Sequence, residues 1–302
     1  MKFECSKLTK HLGGFNLTDI SFSLDGGTVL GLIGANGTGK TTLLRCLLGS
    51  YLQDKEMGDA GDIELDGLHF LRDMKAYRKN LGYVLQAQPY SEFMYAKQIG
   101  EMYGCFYDGF ELKKYFELLA KYEVPEKEQL SELSSGQLIR MQLAFMQSHD
   151  AKLYILDEPV GNLDTGFRDE FYDMIRDLVA DGEKSVILSS HLISEAERIC
   201  DQLLWIKKEN DTGSVRFFGS CDELKEQHRL LSAELSPEDM EALGINSVMI
   251  AGSRLRATHK EYLLQSADPG TFSKLSETFK DDIRYADLQE IMYYTEKGED
   301  ND

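Results

Sequence analysis

At 302 residues the chain is long for one α/β domain, so a core with an appendage is the natural expectation. A formal charge of −19 argues against a free-standing nucleic-acid binder, because neutralising phosphates needs a basic face. The hydrophobic fraction of 42% is ordinary for a globular protein, and apolar runs break well short of the ~20 residues that span a bilayer. Met1-Lys2-Phe3-Glu4-Cys5-Ser6-Lys7 has no apolar signal stretch, so a cytoplasmic location is expected. The five cysteines (Cys5, Cys46, Cys105, Cys200, Cys221) are dispersed without a Cys-x-x-Cys pair and read as reduced packing residues.

Ile20-Ser21-Phe22-Ser23-Leu24 alternates apolar and polar side chains, the pattern of a half-buried strand. Val29-Leu30-Gly31-Leu32-Ile33 reads as a short apolar strand. It runs into Gly34-Ala35-Asn36-Gly37-Thr38-Gly39-Lys40-Thr41, a complete Gly-x-x-x-x-Gly-Lys-Thr loop, and Thr42 to Leu48 read as a helix. Glycines let the backbone curl until successive N–H groups point at one anion, and the helix adds its N-terminal donors and positive dipole end. A nucleoside triphosphate with Mg²⁺ is the expected ligand. Gly34, Asn36, Gly37, Thr38, Gly39, Lys40, Thr41 and Thr42 are its candidate contacts. Lys40 would reach the β- and γ-phosphates, and the Thr41 hydroxyl would take one position on Mg²⁺.

Asp62 to Gly67 reads as an edge-type strand ending in a turn, and Leu81 to Gln86 as a buried strand. From about Tyr95 to Tyr122 the periodicity is helical. Leu153-Tyr154-Ile155-Leu156 and Val186-Ile187-Leu188 are continuous apolar runs, as in central parallel strands, with helical segments at 166–180 and 192–199. Strands interleaved with helices imply an α/β core. The first of those runs ends in Asp157-Glu158. Side chains alternate along a strand, so the two carboxylates have different jobs: Asp157 suits the Mg²⁺ shell, and Glu158 suits polarising the attacking water. A solvated pair is the alternative; beside a phosphate loop, the active-site assignment is favoured. From Asp222 onward acidic residues outnumber basic ones two to one, Pro237 and Pro269 punctuate short elements, and Glu299-Asp300-Asn301-Asp302 reads as a solvated end. A small acidic α+β accessory domain is expected at 222–302.

Leu133-Ser134-Ser135-Gly136-Gln137, before the amphipathic helix Leu138 to Phe145, resembles the Leu-Ser-Gly-Gly-Gln signature loop of the ATP-binding-cassette (ABC) ATPases. Other landmarks follow that family's order over residues 1–222. Gln86 matches the Q-loop glutamine, Gly161-Asn162-Leu163-Asp164 the D-loop, and His191 after Ser189-Ser190 the switch histidine. The chain departs from the pattern twice. Ser135 stands where the family usually has its first signature Gly. Leu12, before Gly13-Gly14, stands where an aromatic ring usually meets adenine, leaving Phe15 as the nearby candidate.

The resemblance implies a P-loop NTPase (ABC ATPase) core with an antiparallel β subdomain, a helical subdomain at about 90–150 and the C-terminal α+β extension. The nucleotide-binding domain would span 1–221. It implies catalytic roles for Glu158, His191, Gln86 and Lys40, and metal contacts from Thr41, Gln86 and Asp157. Ser134, Gly136, Gln137 and Asp164 join the nucleotide contacts, with the signature loop acting in trans from a second ATPase subunit, identical or related. The implied function is the ATP-hydrolysing subunit of an ABC transporter, of the bacterial exporter type, peripheral on the cytoplasmic face of the membrane and docked on a separate permease. The Met- and aromatic-rich segment Pro89 to Tyr95, with Met102, Tyr103, Phe106 and Tyr107, would receive that permease. Asp287 to Tyr294 also resembles the tail of exporter-type cassettes. A soluble ABC ATPase in a non-transport assembly or a regulatory role is the alternative.

Overall fold

The computed structural model describes residues 1–52, 61–161, 163–191, 193–246, 249–256, 259–266, 268 and 270–297. Asn162 of the D-loop, Pro269 and the acidic end at 299–302 lie outside the described residues. The chain opens with two eleven-residue strands, β1 (Lys2–Leu12) and β2 (Phe15–Asp25), which form an antiparallel hairpin closed at Gly13-Gly14. β3 (Val29–Ile33) leads into α1 (Lys40–Leu47). β4 (Asp62–Leu65) and β5 (Leu68–His69) form a second hairpin. Its turn residues Asp66 and Gly67 both have positive φ, as a two-residue turn that follows strand twist requires. β4 is flanked on both sides, by β1 and β5, so it is not the edge strand its alternation suggests.

Next come α2 (Met74–Lys79), β6 (Leu81–Val84), α3 (Ala96–Tyr103), α4 (Leu112–Lys121), α5 (Ser135–Gln147), β7 (Leu153–Asp157) and α6 (Thr165–Val179). They are followed by β8 (Ser185–Ser189), α7 (Ile193–Ile199), β9 (Gln202–Glu209) and β10 (Thr212–Ser220). The helical stretch 95–122 is thus two helices. Between them Phe110 packs its ring where a Cβ on Gly104 would stand, and Gly109 has a φ of +70°. Leu85 and Gln86 leave the sheet, because β6 stops at Val84.

Ten strands form one sheet in the order β5-β4-β1-β2-β10-β9-β3-β8-β7-β6. From β9 to β6 all neighbours are parallel; the hairpins on the other side supply the antiparallel part. Period-two alternation explains the continuous apolar runs. Leu153 and Ile155 of β7 join the core that contains α1 residues Leu43, Leu44 and Leu47. Tyr154 and Leu156 join the opposite core, with Tyr115 of α4, Met141 and Phe145 of α5 and Phe171 of α6. The α1 layer and the α5 layer therefore cover opposite faces.

A second compact unit comprises Ile193–Arg198 and Gly219 onward. It begins three residues before the expected start at 222 and also takes Ile193–Arg198, which the sequence reading leaves in the first domain. It holds α8 (Cys221–Glu226), β11 (His228–Ser232), α9 (Pro237–Ala242), β12 (Ile250–Leu255), β13 (Lys260–Gln265), α10 (Thr271–Thr278), β14 (Ile283–Tyr285) and α11 (Leu288–Lys297). The sheet order β12-β13-β11-β14, all antiparallel, is the split β-α-β-β-α-β arrangement. Leu231, Tyr262, Leu264, Phe272 and Leu275 form its core. Among the described residues no helix is long and apolar enough to cross a membrane.

Candidate nucleotide-binding and catalytic site

Parallel strands that share a register end together, and the register here is specific. Leu32 pairs with Ser189, Ser189 with Asp157, and Leu156 with Val84. The segments leaving β3, β8, β7 and β6 therefore emerge together at the carboxyl ends of the strands, where doubly wound sheets bind ligands. Those segments carry the phosphate loop, His191, Glu158 and Gln86.

The loop is shaped by glycine. Gly34, Gly37 and Gly39 have φ of +146°, +80° and +107°, a region that side chains rarely adopt. A Cβ on Gly34 would also strike the Ile206 carbonyl. Lys40 is buried at 6% exposure, with Nζ donating to the carbonyls of Gly34 (2.6 Å) and Ala35 (3.1 Å). Thr38 is buried and donates to Ala35 O (3.0 Å), whereas Asn36 and Thr41 are exposed and Thr42 half-buried. Phe15 pairs with Leu12 at the hairpin end. Its ring comes within 2.8 Å of where a Cβ on Gly39 would stand, so it packs against the loop itself.

Asp157 is buried, and its Oδ1 accepts from the Ser189 hydroxyl (2.7 Å). The same hydroxyl accepts from the Glu158 N–H (2.9 Å). Glu158 has a φ of +48°, a conformation uncommon for a side-chain-bearing residue and concentrated at functional sites. That kink aims its carboxylate at His191, with Oε2 and Nδ1 3.5 Å apart. Gln86 is exposed in the loop after β6.

Ser134 caps α5: its Oγ accepts from Gln137 N (3.2 Å), and Gln137 Oε1 accepts from Ser134 N (3.0 Å). Ser135 is the first residue of that helix and has no positive φ, so Ser in place of Gly costs the backbone nothing. Asp164 caps α6 through Phe167 N (3.0 Å) and bonds the Arg140 guanidinium. The Phe167 N–H and Arg140 hold its carboxyl below the usual aspartate range. Both carboxylate oxygens are engaged within the subunit, which makes Asp164 a residue that holds its loop.

A groove of about 610 Å³ lies on the same unit, lined by Met74, Lys75, Arg78, Tyr83, Tyr103 and Phe106 among others. Tyr77 and Arg78 of α2 reach the far end of α1: Tyr77 Oη donates to Leu47 O (3.0 Å) and Arg78 Nη2 to Gly49 O (2.7 Å). Of the aromatic segment, Phe93 is 70% exposed but lies outside the lining, and Tyr95 caps α3 with its N–H on Gln98 Oε1 (2.9 Å). The groove uses Tyr90 of that segment together with Tyr103, Phe106 and Tyr107.

The family model described as "ABC transporter" matches residues 17–161. The ABC transporter ATP-binding protein YtrB of Bacillus subtilis is 30% identical over 228 residues, covering 74% of each chain. The chain belongs to the ABC transporter ATPases. The Nod factor export ATP-binding protein I of Paraburkholderia xenovorans is 32% identical, covering 68% of this chain and 67% of its own. A solved ATP-binding subunit of an ABC transporter superposes with a TM-score of 0.65 at 22% identity, over 82% of this chain and 95% of its own, a likeness of fold. This ABC ATPase is a nucleotide-binding, ATP-hydrolysing transporter subunit. Its site also contains residues that motif reading missed, namely Ser189, which bonds Asp157 and the Glu158 N–H, and Arg140, which bonds Asp164. The only sequence signal for Ser189 is its place two residues before His191.

Proposed function

We propose that this subunit hydrolyses ATP in a site completed by a second ATPase subunit, and that this closure energises a separate membrane permease of the exporter type. The observation that carries the reading is the strand register by which the segments with the phosphate loop, His191, Glu158 and Gln86 all leave from the carboxyl ends of neighbouring parallel strands. The donors suit Mg²⁺: the Asp157 carboxylate, the Thr41 hydroxyl and the Gln86 amide are all hard oxygen ligands. When bound, Mg²⁺ would neutralise charge on the β- and γ-phosphates. Lys40 and the loop N–H groups hold those phosphates, and Phe15 braces the loop. Glu158 takes the proton of the attacking water, with His191 beside it to orient the γ-phosphate end. Ser189 fixes Asp157 and the Glu158 backbone together. Ser189→Ala is expected to lower turnover by about 10- to 100-fold and raise the Mg²⁺ requirement, read by ATPase assay across a Mg²⁺ titration.

The N-termini of α1 and α5 belong to opposite layers, which supports delivery of Ser134 and Gly136 to the ATP of another subunit. The groove is rimmed by the cations Lys75 and Arg78, and by Lys79, which pairs with Asp108 (2.7 Å), on a chain of net charge −19. Burial pushes the Tyr90 and Tyr107 phenols up, so they stay neutral beside it. An amphipathic permease helix bearing acidic residues fits such a groove, which would hold the subunit on the cytoplasmic face of the membrane. Likeness to Nod factor export proteins supports the exporter direction. Phe106 is 65% exposed, so Phe106→Asp leaves folding intact. The variant is expected to lose recruitment to membranes carrying the permease while the isolated subunit keeps wild-type turnover. Normal recruitment would remove the groove from docking. Residues 222–302 are read as an accessory domain.

A further inference from the structure

Gln142 lies in the middle of α5, eight residues beyond Ser134, and is only 2% exposed. A buried amide needs partners for both its ends, and here one residue supplies them. Gln142 Oε1 accepts from Leu85 N (2.9 Å), and its Nε2 donates to Leu85 O (3.1 Å). The pair replaces the ladder bonds that Leu85 gives up where β6 ends, and the next residue is Gln86. Leu85 N–H and C=O are thereby pinned in one orientation, which fixes where the Gln86 side chain starts.

We propose that Gln142 is a positioning residue: its amide sets Gln86 at the metal and joins the Gln86 segment rigidly to the helix that presents Ser134. The inference rests on the reading of Gln86 as a metal and water contact. α5 is a continuous helix from Ser135 to Gln147, so Ser134 and Gln142 are about 12 Å apart at 1.5 Å per residue. In a head-to-tail pair Ser134 serves the ATP of the partner, and Gln86 serves the ATP of its own subunit. A single helix with a fixed amide clamp therefore links the occupancy of the two sites. Residues that orient a metal contact change turnover by about 10- to 100-fold when removed.

The test compares the full-length wild type with Gln86→Ala, Gln142→Leu and the double variant. Mg-ATP affinity is measured by calorimetry, and turnover across a Mg²⁺ titration. Gln142→Leu is expected to keep Mg-ATP affinity, lose turnover about 10- to 100-fold and need more Mg²⁺ for half-maximal rate, as Gln86→Ala does. The decisive result is non-additivity: the double variant should be no slower than Gln86→Ala alone. If leaving Leu85 unpaired unfolds Gln142→Leu, Gln142→Glu is read by the same criterion. It keeps the acceptor for Leu85 N–H and, when ionised, loses the donor to Leu85 O. Burial favours the protonated carboxyl, so Gln142→Glu should match wild type where it keeps its proton and fall below wild type, measured at the same pH, only as rising pH ionises it. Wild-type turnover and Mg²⁺ dependence in folded Gln142→Leu or in ionised Gln142→Glu, or losses that multiply in the double variant, would overturn the proposal. A Gln86→Ala enzyme with wild-type behaviour would instead overturn the role of Gln86, and the proposal with it.

Discussion

Glu158→Gln should almost stop ATP hydrolysis, by about 10²- to 10⁴-fold, the usual contribution of a general base. The amide keeps the shape of the side chain, and the Glu158 N–H still has the Ser189 hydroxyl to bond, so the kinked backbone persists. ATP should therefore bind normally and remain intact. With the γ-phosphate preserved, Ser134 and Gly136 of a second subunit stay engaged, and the complex is trapped as a closed dimer. Light scattering should show an ATP-dependent rise from monomer to dimer mass. Adding Ser134→Arg, which places a bulky side chain at the exposed N-terminus of α5, should reverse it. The charge of −19 opposes closure, so the mass shift should grow as moderate salt screens the repulsion. Full-rate hydrolysis by Glu158→Gln would remove Glu158 from catalysis. A slow variant that stays monomeric, even beside its permease, would reject the trans signature loop.

The second large effect is expected from Lys40→Ala. Lys40 is the one side-chain cation between Gly34 and Thr41, and its ammonium is buried against two carbonyls of the loop. Truncating a buried, charge-assisted contact costs about 2–5 kcal/mol, so Mg-ATP affinity should fall at least tens of fold. Leu43, Leu44 and Leu47 anchor α1 in the core independently of Lys40, and the circular dichroism spectrum should match wild type. Unchanged affinity by calorimetry would contradict the phosphate-loop assignment.

The parts of the site that the sequence revealed are those written contiguously. A loop of fixed spacing between a strand and a helix carries its geometry with it, so Gly34 to Thr41 could be read directly. The Asp157-Glu158 pair was legible for the same reason. Gln142 was not: its partner Leu85 is 57 residues away, and a glutamine within an amphipathic helix looks like part of a solvated face. Arg140 and Asp164 met only when the fold brought α5 to the start of α6. In the fold, β7 and β8 were plain because strands covered on both faces need unbroken apolar runs. β1, with a positive φ at Lys7 and register shifts, lacks clean alternation. The split β-α-β-β-α-β order of the second unit depends on pairings between short, distant strands, and no local signal encodes it.

Helix α2 turns two faces to two different tasks within six residues. Met74, Lys75 and Lys79 line the groove, whereas Tyr77, fully buried, grips the end of the helix that starts at Lys40. Arg78 takes part in both. Under the proposed docking, partner choice and the anchoring of α1 are written in neighbouring letters. On that proposal, a subunit of this kind could change the permease it serves by altering Met74, Lys75 or Lys79 while Tyr77 keeps its hold on α1. An engineer grafting this motor onto a foreign permease should redesign those three positions and keep Tyr77 and Arg78 fixed.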